Sequence, residues 1–178
     1  SYIKNYDKKS KANASTKKAF ILKGKKIKLG AVSAVHEIMD LTKLKSIVKE
    51  NNATITQYLT AVLIYSIYKA NYQKYNGKKP IKVCIPVDLR RYFNTKTMSN
   101  FFTYITVEAE MKKNNLDTFE KILEFVKQDF KQKLTEEELM RTMSNNVKLG
   151  KNPFLSVIPL PIKKALVRLS YIEIRKYT

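Results

Sequence analysis

One stretch constrains this chain more than any other. Residues 54–70, TITQYLTAVLIYSIYKA, are apolar over most of a helical circumference, and after Pro80 the run IKVCIPV passes abruptly into the charged DLRR. A helix that is apolar on most sides has to be packed on most sides. Thr54 and Gln57 match a capping box, Leu59, Val62, Leu63, Ile67 and Ala70 continue the helical period, and Gly77 offers a stop. The short apolar run after Pro80 predicts a buried strand, and FFTYITVEAEM alternates as a second strand with one face buried. Helix, strand, turn and strand together predict an α+β fold, a mixed sheet flanked by helices.

The flanking sequence fits that frame. Residues 1–18 are polar and Lys-rich and read as a flexible arm or linker, with order beginning near Phe20 and one domain over 19–178. Segments 20–22 and 27–38 (around AVSAVHEI) read as extended, punctuated by Gly24 and Gly30. LTKLKSIVKENN sets Leu44, Ile47 and Val48 at helical spacing with Thr42 as the N-cap. Downstream, Asp117 and Glu120 form a capping box ahead of Ile122, Leu123, Val126 and Phe130. Thr135 and Glu138 open a further helix that ends near Gly150. Pro153, Pro159 and Pro161 then break the chain, and Pro161 suits the first turn of a last helix through Ala165, Leu166 and Leu169.

Composition removes several classes of function. No run approaches the ~20 apolar residues of a membrane span, and SYIKNYDKKSKANASTKK lacks the apolar block of a signal peptide, so the expected compartment is cytoplasmic. The lone Cys84 excludes an intramolecular disulfide and a Cys-rich metal site. The formal charge of +20 raises nucleic acid as a partner, but only five of the 35 basic residues are Arg and the lysines are scattered, which reads against base recognition. A basic surface does suit an anionic co-substrate or an acidic carrier protein. Four scattered glycines exclude a phosphate-cradling loop, and no GxSxG elbow is present. The run Glu136-Glu137-Glu138 complements a helix N-terminus more simply than it makes a metal site.

The chemistry-bearing segment is Cys84 to Phe102, CIPVDLRRYFNTKTMSNFF, in which a strand end suddenly carries Asp88, Arg90 and Arg91. Charges placed at the end of a buried strand have to find partners. Pro86-Val87-Asp88-Leu89-Arg90 followed by Ser99-Asn100-Phe101 resembles a motif of the CoA-dependent acyltransferases, the superfamily of chloramphenicol acetyltransferase, condensation domains and alcohol acetyltransferases. TITQYLTAVLIYSIY is similar to the long helix this family sets before that strand, and LVRLSYIEIRKYT to the stretch leading into its C-terminal region. The likeness spans residues 20–178, is sharpest over 54–105, and is closest to bacterial alcohol acetyltransferase-like proteins.

The resemblance implies the end of one lobe and much of the second of a two-lobed enzyme that moves an acyl group from a CoA thioester, or a carrier-bound one, to a small alcohol or amine. In the family the His of an HHxxxDG motif removes the acceptor's proton, and the motif's Asp pairs with the Arg of the PVDLR-like strand. That role falls here to Arg90, with Asp88 beside it supporting the catalytic loop, while Asn100 and Phe101 match residues bordering the substrate channel. No metal is implied.

The sequence departs from the pattern in one respect that matters. It contains neither HHxxxDG nor the second signature DFGWG. His36 and Asp40 fit the shorter HxxxD of BAHD-type members, but position 35 is Val, position 41 is Leu, and the segment lies too close before the PVDLR-like strand. The expectation is therefore an internal fragment, inactive alone, that exposes surface through which it self-associates. The rival reading is a non-catalytic binding module whose basic surface holds an acidic carrier protein or nucleic acid.

Overall fold

The computed structural model describes residues 17–24, 31–150, 158–174 and 177. The expected α+β character is present. In chain order come α1 (Leu41–Glu50), α2 (Ile55–Ala70), β1 (Ile81–Asp88), a single 3-10 turn (Leu89–Arg91), β2 (Phe102–Ala109), α3 (Phe119–Lys133), α4 (Glu136–Gly150) and α5 (Leu160–Ile174). Where a mixed sheet was expected, the sheet among the described residues is two antiparallel strands, in register from Ile81 opposite Ala109 to Asp88 opposite Phe102.

Strand parity decides what is buried. Ile81, Ile85 and Val87 on β1 and Thr103, Ile105, Val107 and Ala109 on β2 face inward and are buried. Their even-numbered neighbours face the other way, and there Lys82 pairs with Glu108 across the strands at 3.4 Å. Leu89 N–H donates to the Phe101 carbonyl at 3.1 Å, adding a rung of the same parity. Hydrogen-bonded rungs alternate along an antiparallel pair, so the N–H that Pro86 lacks falls on the free edge of β1 and costs the ladder nothing.

α2 and α3 close the inward face. Ala61 and Ile64 of α2 and Ile122 and Val126 of α3 are fully buried, and Phe119 packs edge-on against Tyr58 and Tyr65 with ring centroids at 5.3 and 5.9 Å. Fully burying such a side chain contributes about 1.5–3 kcal/mol, so this layer is the main store of stability. α4 adds Leu139 and Met143 to the same core.

Several helix boundaries follow the expected logic with a different residue in charge. The Thr54–Gln57 capping box is present, Thr54 Oγ1 accepting from Gln57 N–H at 3.2 Å and Gln57 Oε1 from Thr54 N–H at 2.8 Å. α1, however, is capped by Asp40, not Thr42, because it is Asp40 that has the extended backbone and whose Oδ1 accepts from the N–H groups of Thr42 and Lys43 at 2.8 and 3.2 Å. Thr118, not Asp117, likewise caps α3, which leaves Asp117 to pair with Lys121 one turn on.

α2 stops at Asn71, whose side-chain amide donates to the Ile67 carbonyl at 2.9 Å, well before Gly77. Gly77 instead occupies a left-handed turn (φ +74°) in which a Cβ would run into the Lys112 side chain. At α4, Thr135 Oγ1 does accept from Glu138 N–H at 3.3 Å, the helix ends at Gly150, and Glu137 and Glu138 pair with Arg141. Pro161 sits in the first turn of α5, as expected. Pro153, Gly30, residues 1–16 of the arm and residues 27–30 of the expected extended segment lie outside the described residues.

Residues 20–22 and 31–38 join no strand, although Phe20 N–H donates to the Pro80 carbonyl at 2.8 Å and the Phe20 ring meets Tyr75 edge-on. Lys17, at the end of the expected arm, pairs with Glu110 at 2.6 Å, and Ala19 is buried.

Candidate functional site

Between β1 and β2 the chain makes a loop whose two ends are anchored in the core. Leu89, Phe93 and Phe101 are buried, with the Phe93 and Phe101 rings 6.3 Å apart at 67°, whereas Asn94, Lys96, Met98, Ser99 and Asn100 are exposed. Arg90 spans this loop. Its Nε donates to the Thr97 carbonyl at 3.3 Å, Nη2 to the Ser99 carbonyl at 2.8 Å, and Nη1 to Asp88 Oδ1 at 3.2 Å. The same Asp88 oxygen accepts from Arg90 N–H at 3.1 Å, so one carboxylate caps the 3-10 turn and orients the guanidinium. Both side chains are more than 40% exposed, at 41% and 47%. Their ion pair is therefore worth at most about 1 kcal/mol, and its value lies in geometry.

The structure thus brings Arg90 and Asp88 together, and adds the Thr97 and Ser99 carbonyls, which no residue-type signal in the sequence announces. Asn100 and Phe101 part company: Asn100 is exposed, and Phe101, 1% exposed, belongs to the core beneath the loop. Strand parity carries the reason, since Phe101 shares the inward side with Thr103, Ile105 and Val107.

His36 lies exposed in a stretch without secondary structure, four residues before the Asp40 cap. The Asp40 carboxylate is committed to the first turn of α1, and among the described residues no hydrogen bond joins it to His36. Cys84 is exposed, yet the packing that does surround it pushes the thiol pKa up, the opposite of what a nucleophilic thiolate needs. Among the described residues no three His, Cys, Asp or Glu side chains gather to hold a metal ion, and no helix is long and apolar enough to cross a membrane.

A family model for alcohol acetyltransferases matches residues 4–152, and the chain belongs to that family. The match takes in the whole β1–loop–β2 unit, begins within the Lys-rich arm, and stops short of α5 and the tail. No curated protein and no solved structure matches the chain.

Proposed function

We propose that the protein transfers an acyl group from a CoA thioester to a small alcohol, and that this chain supplies the scaffold and the braced loop of that reaction but not its base. The family match over residues 4–152 is the observation that carries the reading. In the reaction a base takes the hydroxyl proton as the alcohol oxygen forms a bond to the thioester carbonyl carbon. The carbon–sulfur bond then breaks, and the thiolate leaves with a proton, giving ester and free CoA. The 178 residues contain no HHxxxDG, and among the described residues Asp40 is spent on a helix cap and makes no hydrogen bond to His36. Asp88 and Arg90 support the loop that faces the reacting groups, Asn100 borders the acceptor path, and Phe101 holds that border from below.

The charge of +20 supports an anionic donor. In the protein of the full reading frame, thiol release from acetyl-CoA with a panel of short alcohols is expected. The KM for acetyl-CoA should rise with added salt while the KM for the neutral alcohol stays level. Absence of thiol release with every alcohol and amine tried would overturn the reading.

A further inference from the structure

We infer that Arg90 is the positioning residue of the β1–β2 loop, acting through the backbone of Thr97 and Ser99 and thereby fixing where Met98 and Asn100 stand. Residues 94–100 have little packing to hold them: Met98 is 98% exposed, and Asn94, Lys96, Ser99 and Asn100 are exposed too. Local ties are long ones, the Thr97 and Ser99 N–H groups each reaching a hydroxyl two residues back at 3.3 Å. Against these, Arg90 reaches from the β1 end to two carbonyls on the far limb, the nearer at 2.8 Å, while Asp88 fixes the opposite corner of the guanidinium.

The two carbonyls belong to residues 97 and 99, so the clamp sits on both sides of Met98 and pins the loop's far limb. A planar fork with several fixed N–H directions reaches three acceptors at once. A lysine offers a single compact charge on a flexible stem, so retaining the charge does not retain the clamp. For the acyl-transfer chemistry the inference rests on the proposed function, in which this loop borders the acceptor path; for the loop itself it rests on the hydrogen bonds alone.

The test uses Arg90→Ala and Arg90→Lys, substitutions at a partly exposed side chain, with amide hydrogen exchange of the 178-residue chain as the first readout. Both are expected to speed exchange at Thr97 and Ser99, the loop amides that carry hydrogen bonds, on the order of tenfold, leaving α2 and α3 unchanged. The second readout is kinetic: in the protein of the full reading frame Arg90→Lys should raise the KM for the alcohol and leave the KM for acetyl-CoA where it was. Wild-type exchange in either variant, or an unmoved alcohol KM in an active enzyme, overturns the positioning role. Faster loop exchange with no thiol release from any form of the protein keeps the loop assignment and discards the proposed acyl transfer.

Discussion

α2 and α5 are both apolar over much of their circumference, yet α2 buries one face in the core, with Leu59, Val62 and Leu63 on its other side 37–47% exposed, and α5 buries none of its described side chains. On α2, Ala61 and Ile64 are fully buried and Tyr58 and Tyr65 meet Phe119 edge-on, whereas on α5 the side chains of Leu160, Ile162, Leu166, Val167, Leu169 and Tyr171 are 49–67% exposed. The difference is one of neighbours. α2 is followed within the same chain by two strands and a helix that present matching apolar faces, while among the described residues nothing comparable covers α5. Apolar composition thus states that a helix needs a partner, and only the surrounding chain says whether it has one.

Truncating one side chain on each side of this divide separates the two regions by stability. Ile122→Ala, in the α2–α3 layer, should lower unfolding free energy by about 2–5 kcal/mol, while Leu166→Ala on α5 should stay within about 0.5 kcal/mol of wild type. Urea titrations of the two variants decide it; similar losses would mean that α5 is covered after all.

A smaller effect is expected at the start of α2, where Thr54→Ala removes half of the capping box and should cost about 1 kcal/mol. Asp40→Ala should cost less by the same titration, because α1 lies at the margin of the core, with Val48 its one buried residue.

Thr103 offers a change of opposite sign. Its hydroxyl is buried on the inward face of β2 and has no hydrogen-bond partner among the described residues. Thr103→Val should therefore stabilise by about 1 kcal/mol, which would appear as a higher denaturation midpoint at unchanged slope.

Much of the packed half was legible in the sequence, since alternation along FFTYITVEAEM and the Thr54–Gln57 spacing are local rules that the core happens to obey. The misplaced caps have a common cause. Asp40 stands near Thr42 and Asp117 beside Thr118, both residue types cap helices, and only the backbone conformation chooses between neighbours. AVSAVHEI has the β-branched content of a strand, but a strand is defined by a ladder, and residues 31–38 have none. The site divides the same way. Asp88 and Arg90 are visible as charges at a strand end, whereas Arg90's carbonyl partners carry no residue-type signature, and the burial of Phe101 follows from strand parity, which the motif alone does not express.

The smallest expected effect concerns pH. Burial raises the Asp129 pKa, and nearby Glu108 adds to the rise, while the Lys133 ammonium at 2.8 Å opposes it without winning. A carboxyl whose folded pKa lies above its unfolded one binds more protons when folded. Its contribution is thus fully present below the unfolded pKa and is lost as pH rises through the folded pKa. Asp129→Asn should flatten the fall in stability across and just above the ordinary carboxylate range. Because Lys133 also donates to the Thr106 carbonyl at 2.6 Å, it keeps a partner on β2 in that variant. An unchanged pH slope would contradict the assignment.

The most direct test of whether these residues hold the base is thiol release from acetyl-CoA and a short alcohol by the 178-residue chain itself, run beside its His36→Ala form and the protein of the full reading frame. No turnover above background is expected from the chain with or without His36, whereas a reading frame that also carries HHxxxDG should turn over and lose activity on Arg90→Ala. Turnover by the chain alone that disappears with His36→Ala would contradict that expectation, placing the base at His36 and not outside these residues.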